Sequence, residues 1–310
     1  MLLLDLIADE ARAAGLALEP RGMLRRDIDL GPPGLWSPNR HACMVKAADG
    51  WLAVNLARAE DREAVPAWLQ KDVRGDVWDA VIEGARGQMA ADLLEQAIIL
   101  GLPVAIVGET EAKSPIANPP VTVTPKLKVI DLSALWAGPL CGALLAQAGM
   151  DVTKVESPTR PDPVGGDPKL NGAKRRLTMD LHSPALTGAI AHADILITSA
   201  RPHALARLGL TPGALFARNP GLIWVAITAH GFTEPHAMRT GFGDDAAAAG
   251  GLVRWQDGAP HFIGDALADP LTGLRAARLA LDYVAQDKAG LIDVALAHTA
   301  ADYAQKLGLR

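Results

Sequence analysis

The sequence has little cysteine and no long apolar run. Its two cysteines, Cys43 and Cys141, lie far apart without the spacing of metal ligands, which argues against a disulfide framework or a cysteine zinc site. Cys141 is predicted to be a small core residue. No apolar run approaches the roughly 20 residues that span a bilayer. We therefore expect a protein of a reducing compartment without a membrane-spanning segment.

Positive charge is not in excess either. The 310 residues carry a formal net charge of -5 at pH 7. A nucleic-acid-binding protein needs a basic face for the phosphates, and this composition does not supply one. At the start of the chain, Met1 and three leucines are followed by Asp5, with no basic region before them, so we expect no signal peptide. The sequence predicts a cytoplasmic protein that binds neither nucleic acid nor a membrane.

The overall composition and one proline-rich segment predict a folded protein with two parts. Hydrophobic residues make up 49% of the chain and charged residues 21%, which is typical of a globular protein. A proline-rich segment at residues 114–126 predicts a stiff linker. We therefore predict a small α+β domain with an N-terminal helix at residues 1–113 and a larger Rossmann-like domain at residues 127–310.

Hydrophobic patterning predicts the elements of both parts. The first part shows a hairpin at residues 43–46 and 51–54 around Asp49 and Gly50, helices at residues 60–69 and 88–102, and a strand at residues 104–107. In the second part strands alternate with helices. Such alternation is typical of an α/β fold with a mostly parallel sheet. The predicted strands of this part are residues 128–132, 151–156, 222–228 and 291–295, with a helix beginning at Pro139 and a long helix at residues 271–283. Residues 173–181 and 194–198 are assigned to the same repeat of strands and helices.

Dinucleotide binding is not expected from this fold. The first strand-to-helix turn offers Gly138 and Gly142 but not the pattern G-x-G-x-x-G. Glu156 ends the second strand, where a dinucleotide fold often carries a ribose-binding acid. Without the three glycines, that single acid does not predict NAD binding.

Short motifs follow one another through the second part of the chain. They are V-I-D-L and A-G-P within residues 129–139, D-V-T-K-V-E at 151–156, K-R-R-L-T-M-D-L at 174–181, R-L-G at 207–209 and A-D-P-L-T-G at 268–273. In this order and spacing they resemble the class III CoA-transferases, the family that includes formyl-CoA transferase, carnitine CoA-transferase and α-methylacyl-CoA racemase. The resemblance runs from about residue 128 to residue 301.

The first part of the chain resembles the small domain of the same family. Residues 51–66 and 78–107 carry this resemblance, including L-x-x-A-x-x-x-G-L-P-x-A-x-V from Leu94 to Val107. In the family the small domain follows the large one, whereas here it comes first. We therefore predict a circularly permuted arrangement joined at residues 119–125, in which residues 1–18 supply a helix that normally returns at the far end. Permutation is tolerated where chain termini lie close together at the surface.

Asp269 is the predicted nucleophile. The resemblance implies that this carboxylate attacks an acyl-CoA carbonyl and later carries CoA as an aspartyl thioester. The local sequence offers a different interpretation, because an aspartate directly before Pro270 is a common helix cap. The two roles can coexist.

The resemblance also implies a set of residues that contact coenzyme A. Arg and Lys suit phosphate groups, although a Lys-Arg-Arg run is more often a solvated turn. The predicted contacts are Ala134, Leu135 and Ala137 in the first loop, Lys174, Arg175 and Arg207 for the phosphates and the adenine region, and Met179, His182, Ser199, Ala200 and Arg201 at further positions.

Several positions depart from the family pattern. His182 stands where a lysine is usual, and Ser199 and Ala200 replace an Asn-Phe pair. Phe242 and Gly243 stand where the racemase branch has a His-Asp pair. Racemisation needs an acid and a base on opposite faces of the α-carbon, so this departure disfavours it. Asp244 and Asp245, which precede an alanine run, predict a helix cap.

The expected function is that of an acyl-CoA:carboxylate CoA-transferase acting through an aspartyl-CoA thioester. Acyl-CoA and a carboxylic acid are the expected small-molecule partners, with coenzyme A as substrate, no permanently bound cofactor and no metal. A homodimer is expected, since the family's dimers interlock. Two alternatives remain open, an acyl-CoA racemase or epimerase and a catalytically silent acyl-CoA-binding homologue.

Overall fold

The structure, a computed structural model, describes residues 2–113 and 126–310. Apart from Lys126, the predicted linker at residues 114–126 lies outside the described residues. Before it lies a three-stranded antiparallel sheet in the order β1-β2-β3. The elements of this first part are α1 (Leu3–Ala13), α2 (Pro20–Met23), β1 (Ala42–Lys46), β2 (Trp51–Asn55), α3 (Ala59–Glu63), α4 (Val65–Leu69), α5 (Val77–Ala85), α6 (Ala90–Leu100) and β3 (Val104–Ile106).

The second part contains a six-stranded parallel sheet. Its spatial order is β11-β8-β7-β4-β5-β6, so the chain reverses direction across the sheet between β4 and β7. This is the strand order of doubly wound nucleotide-binding folds, and the prediction of an α/β fold is confirmed. The six strands are β4 (Lys128–Asp131), β5 (Asp151–Glu156), β6 (Arg175–Thr178), β7 (Ile195–Thr198), β8 (Ile223–Thr228) and β11 (Gly290–Ala295), and the separate hairpin comprises β9 (Val253–Gln256) and β10 (Ala259–Phe262).

Helices follow the parallel strands and cover the sheet. Three of them begin with a capping Asp, Ser or Thr followed by proline at the first helical position, at Asp167, Ser183 and Thr211. The helices are α7 (Ala137–Gln147), α8 (Pro168–Asn171), α9 (Pro184–Ala191), α10 (Pro202–Arg207), α11 (Pro212–Arg218), α12 (Gly243–Ala249), α13 (Ala268–Ala285) and α14 (Leu296–Lys306).

The small sheet is buried on both faces, and its side chains alternate between them. Cys43 and Val45 pack with the helices of the first part, whereas Ala42 and Met44 pack against residues of the second part. This follows the two-residue period of a strand. The backbone N–H of Gly108 also donates to the carbonyl of Ala248. The two parts therefore share an apolar contact along β1 and β2.

Helix α1 does not pack with the small sheet. Leu6, Ile7 and Ala11 belong to the hydrophobic core that also contains α7, α13 and α14. Glu10 of the same helix accepts hydrogen bonds from Arg275 and Tyr303. By packing, residues 3–23 therefore belong with the larger core, although the predicted domain division placed them in the first part. The permuted domain order stays a prediction.

Several predicted bounds differ from the structure. The predicted helix at residues 60–69 is two short helices, α3 and α4, because Pro66 cannot supply the N–H that would continue α3. Helix α7 begins at Ala137 rather than at Pro139. Neither the hairpin β9–β10 nor helices α8 to α11 were predicted, because their apolar periods are too short to stand out.

Candidate functional site

Two loops meet at the point where the strand order reverses. The loop after β4 holds Ser133, Ala134 and Leu135, and the loop after β7 holds Ser199. The backbone N–H of Ala134 donates a hydrogen bond of 2.9 Å to Ser199 Oγ. In doubly wound sheets, ligands bind in the crevice outside the carboxyl ends of the strands at such a reversal. The predicted contacts Ala134, Leu135, Ala137, Ser199, Ala200 and Arg201 all belong to these two loops or begin the helices that follow them.

A buried ion pair fixes the first loop. Lys154 Nζ lies 2.8 Å from Asp162 Oδ2, and the side chains are 0% and 2% exposed. Lys154 also donates to the carbonyl of Ser133, and Asp162 Oδ1 accepts from the backbone N–H of Leu135 at 3.0 Å. Leu135 adopts a φ of 67°, a left-handed conformation that costs energy in a residue with a Cβ. The ion pair therefore holds the loop in a strained shape at the crevice.

Arginines cluster beside the second loop. Arg201 directly precedes α10, and Arg207 ends it. Within residues 2–113 and 126–310, no acid forms an ion pair with Arg160, Arg201 or Arg207. Partial burial lowers the pKa of Arg201, and the charges of Arg58, Arg160 and Arg207 lower it further. The cluster thus carries positive charge that the described part of the chain does not neutralise.

Two further predicted contacts, Met179 and His182, follow β6. They lie at the same carboxyl edge of the sheet, two strands from β4. Met179 is partly buried against the core beneath α9. His182 is exposed, with Nδ1 3.3 Å from Asp180 Oδ1. Only a ligand extended along the edge would reach both these residues and Ser199.

Two predicted phosphate contacts, Lys174 and Arg175, are engaged by other groups of the chain. Lys174 Nζ is fully buried and donates to Asp131 Oδ2, to the carbonyl of Pro139 and to Asn171 Oδ1. Burial lowers the pKa of Lys174, and the charge of Asp131 opposes this effect. Arg175 begins β6 and pairs with Asp151, which begins β5, so it lies at the opposite edge of the sheet. Neither side chain is available to a phosphate at the crevice.

Asp269 lies in the first turn of α13. The helix begins at Ala268 and is preceded by Leu267, so the interpretation of Asp269 as its cap is wrong. Four residues later and on the same helix face, Gly273 packs against the start of α7, where a Cβ would lie 2.7 Å from the carbonyl oxygen of Ala137. This close contact brings the first turn of α13 to the first crevice loop.

Gly243 makes room for the Asp269 carboxyl group. A Cβ at Gly243 would collide with Asp269 Oδ2 and with the carbonyl of Ala266. Among the described residues, no side chain donates a hydrogen bond to Asp269, whereas the backbone N–H of Gly243 faces it. The residue as a whole is partly exposed, while its carboxyl group lies in the buried surroundings that raise its pKa.

Three more aspartates lie close to Asp269 in the fold. Asp244 and Asp245 lie in the first turn of α12, and Asp265 precedes α13. Burial raises the pKa of Asp269 to about 7, and the charges of Asp244 and Asp265 add to that rise. Burial also raises the pKa of Asp244 to about 6 and that of Asp245 to about 8. Near neutral pH, Asp269 can therefore exist as an acid or as a carboxylate.

The first part of the chain supplies the partners of this aspartate cluster. Asn39 Nδ2 donates to Asp244 Oδ2 at 2.8 Å and to Asp265 Oδ1 at 2.6 Å. Arg26 donates two hydrogen bonds to Asp265 and lies over the ring of Trp136, 5.1 Å from its centroid. Sequence analysis missed Arg26 and Asn39, since no local signal links them to residues more than 200 positions away.

The predicted helix cap at Asp244 and Asp245 is half right. Both Asp245 oxygens accept from the backbone N–H of Phe242, the residue before α12, and Oδ1 also accepts from Asn55. Asp244 instead accepts from the backbone N–H of Ala266 at 2.7 Å. Asp245 therefore caps α12, while Asp244 ties α12 to the turn before α13.

The fold and the site together define a doubly wound α/β protein with a basic crevice and a free carboxyl group beside it. The chain belongs to CoA-transferase family III, because the model of that family matches residues 126–308. The resemblance seen in the sequence is thereby confirmed at the level of the family. Residues 1–125, which supply Arg26 and Asn39, lie outside the match.

Curated relatives agree with this assignment. The chain is 34% identical over 174 residues to the succinyl-CoA–D-citramalate CoA-transferase of Chloroflexus aurantiacus, covering 50% of this chain and 43% of that one. It is 32% identical over 185 residues to the succinate–glutarate CoA-transferase of Agrobacterium fabrum, covering 52% and 46%. The chain thus spans less than half the length of these curated relatives.

Solved structures of similar proteins match part of this chain. The crystal structure of Rv3272 from Mycobacterium tuberculosis matches with a TM-score of 0.53 at 28% identity, covering 62% of this chain and 57% of that one. A CaiB/BaiF family protein from Brucella suis matches with a TM-score of 0.53 at 29% identity and the same coverage. In the described residues, no group of three or more His, Cys, Asp or Glu side chains could hold a metal ion, and none of the helices could cross a bilayer.

Proposed function

We propose that this protein is an acyl-CoA:carboxylate CoA-transferase that uses Asp269 as its nucleophile. The observation that carries the proposal is the setting of Asp269. Asp269 is partly exposed as a residue, its carboxyl group lacks a side-chain partner among the described residues, and it lies in the first turn of α13, the helix whose Gly273 packs against the start of α7. Names of the relatives, which pair a CoA thioester with a carboxylic acid, support the same reaction class.

The proposed reaction uses two covalent intermediates. A carboxylate oxygen of Asp269 attacks the thioester carbonyl, the carbon–sulfur bond breaks, and CoA leaves as a thiolate from a mixed anhydride. The thiolate then attacks the aspartyl carbonyl, which releases the donor acid and leaves CoA on Asp269 as a thioester. The acceptor carboxylate reverses both steps, so no group is lost to water.

The electrostatics of the site favour this use of Asp269. A carboxylate is a weak nucleophile in water, and partial burial removes some of the hydration that weakens it. Asp269 also lies at the N-terminus of the 18-residue helix α13, where the helix dipole stabilises negative charge. The backbone N–H of Gly243 faces the carboxyl group and can donate to negative charge on its oxygens.

We propose that CoA lies along the crevice with its phosphates at the arginine cluster. Arg160, Arg201 and Arg207 carry positive charge that no described acid neutralises, and arginine binds phosphate through two parallel hydrogen bonds. Leu135, Ala137, Ser199 and Ala200 would line the path from this cluster to Asp269. Met179 and His182 would touch the far part of the ligand.

The test is intact-protein mass spectrometry after brief incubation with a panel of acyl-CoA thioesters; in a second aliquot, hydroxylamine displaces CoA from the aspartyl thioester and leaves a stable hydroxamate that marks the peptide. We expect a covalent CoA adduct on the wild-type protein, mapped to the peptide with Asp269, and none on Asp269→Asn. CoA binding without an adduct would contradict the transferase proposal and favour a silent acyl-CoA-binding homologue.

Proton exchange in heavy water distinguishes a racemase from the proposed transferase. In heavy water, a racemase exchanges the proton on the substrate α-carbon, whereas the proposed transferase leaves it in place. Gly243 stands where the racemase branch has an acid, and the contact of Gly243 with Asp269 leaves no space for a side chain there. We therefore expect no exchange.

Three wider proposals concern the protein as a whole. We propose a cytoplasmic homodimer and a circularly permuted domain order. Light scattering on the purified chain tests the dimer. A solved structure in which residues 40–107 lack the fold of the family's small domain would overturn the permutation.

A further inference from the structure

Asp269 lies in a group of three aspartates that differ in the number of hydrogen bonds they accept. Each Asp244 oxygen accepts one hydrogen bond, from the backbone N–H of Ala266 and from Asn39. Asp265 accepts two from Arg26 and one from Asn39. In the parts of the chain that the structure describes, Asp269 has no side-chain donor. Two acids are therefore fixed in place, and the third is left to react.

The donors that fix these acids come from outside the family match. Arg26 and Asn39 lie in the segment between α2 and β1, whereas the family model begins at residue 126. Asn39 bridges α12 and the turn before α13 with one side-chain amide nitrogen. Since Arg26 also contacts Trp136 at the start of α7, the segment ties together three elements that surround Asp269.

Without a nearby positive charge, the carboxylates of Asp244 and Asp265 would keep Asp269 protonated and so suppress the reaction. Like charges within a few ångströms disfavour ionisation of a third carboxyl group. The charged groups that act on Asp269 are Asp244 on α12, Asp265 before α13 and Arg26 from the first part of the chain. Arg26 is the one cation among them, and it forms a two-bond ion pair with Asp265, which is 4% exposed.

We propose that Arg26 and Asn39 are positioning residues for Asp269. Both hold neighbouring acids in place, and Arg26 also balances negative charge, so that the reactive carboxyl group remains available as a carboxylate. This inference rests on the proposed function, because it assigns Asp269 as the reacting group. The inference gives residues from the first part of the chain a role in the proposed reaction.

The test is a carbon NMR titration of protein labelled at the aspartate side-chain carboxyl, with the Asp269 signal assigned by its loss in Asp269→Asn. In Arg26→Gln, we expect the Asp269 midpoint to rise by about one pH unit, since an attractive charge is lost and Asp265 becomes unpaired. In Asn39→Asp, a new carboxylate replaces the amide donor, and the midpoint should rise as well. Arg12→Gln, which removes an exposed ion pair with Asp9, is the control and should leave the midpoint unchanged.

A double variant separates charge balance from general damage. Arg26→Gln combined with Asp265→Asn removes the pair without leaving a charge, so the midpoint should return close to the wild-type value. A folded Arg26→Gln protein with an unchanged midpoint would overturn the proposal, and so would a double variant whose midpoint stays high. If Arg26→Gln does not fold, Arg26→Lys keeps the charge but loses the two-bond geometry. It should keep the midpoint and slow adduct formation, and a shifted midpoint would contradict the proposal.

The titration does not depend on turnover. If the wild-type protein forms no CoA adduct but Arg26→Gln still shifts the midpoint, the transferase proposal fails while the charge balance around Asp269 stands. If the adduct forms and the midpoint does not respond to Arg26, the transferase proposal stands and the positioning role fails.

Discussion

Lys154 and Asp162 form an ion pair that is almost completely buried, with Nζ and Oδ2 2.8 Å apart. The pair does not lie at the reacting carboxyl group. It holds the backbone of Ser133 and Leu135, and thereby shapes the crevice loop after β4. A buried pair of this kind is costly to break, because removal of one partner leaves a charge without compensation.

Loss of one partner of this pair should therefore unfold the loop or the protein. We expect Lys154→Met to lower the free energy of unfolding by about 3–5 kcal/mol, measured by urea denaturation. Lys154→Met with Asp162→Leu should lose less, since no buried charge is left unpaired. Equal losses in the single and double variants would show that packing, not the unpaired charge, determines the cost.

The arginine cluster should determine affinity for coenzyme A. We expect Arg201→Ala and Arg207→Ala each to weaken CoA binding about tenfold in calorimetry, because each removes a charge-assisted phosphate contact. The effect should shrink as salt is added. Arg218, at the C-terminal end of α11 and thus at the opposite edge of the sheet, is the matched control. Arg175→Ala should leave CoA affinity unchanged, as Arg218→Ala does. A tenfold loss of affinity in Arg175→Ala would show that Arg175 contacts CoA after all.

The rate of adduct formation should rise with pH through about 7, since burial raises the pKa of Asp269 to about 7 and only the carboxylate attacks. Below that pH the group is mostly protonated and inert; above it the rate should level off. Rapid-quench mass spectrometry of the CoA adduct at saturating acyl-CoA measures this profile. A rate that is flat between about pH 5 and about pH 9 would contradict the assignment of Asp269 as the titrating nucleophile.

Asp245 should make the fold less stable in alkali. Burial raises its folded-state pKa from 3.8 to about 8, so the folded state binds more protons than the unfolded state between these values. Stability therefore falls as pH rises through that window, and it is highest below it. Asp245→Asn, a neutral mimic of the protonated acid, should raise the melting temperature at about pH 9 relative to wild type and change it little at about pH 4. A lower melting temperature in the variant at alkaline pH would contradict this account.

The sequence predicts the sheet because apolar-rich strands such as β7 and β8 are separated by helix-length segments. The same alternation places Ala134, Leu135 and Ser199 at one edge of the sheet, since carboxyl ends of parallel strands lie together. Asp269 was predicted from a motif. Its local interpretation as a helix cap was wrong because α13 begins at Ala268, two residues before Pro270.

What the sequence could not predict depends on contacts between distant residues. Lys174 was read as a surface cation, but its amine turns inward to balance Asp131, 43 positions away. Arg26 and Asn39 sit in a segment without helix or strand, and their partners lie 239, 205 and 226 positions later. Such pairs follow from the packing of one part of the chain on the other, which no local pattern encodes.

The most direct test of the account follows the oxygen atoms. An acceptor acid labelled with heavy oxygen in its carboxylate attacks aspartyl-CoA, and the second thiolate attack leaves one labelled oxygen on Asp269. After a single turnover in ordinary water, peptide mass mapping should find one heavy oxygen in the peptide that contains Asp269, and none in the corresponding peptide of Asp269→Asn. CoA transfer between acids without label in that peptide would contradict the central claim that Asp269 carries the acyl and CoA groups.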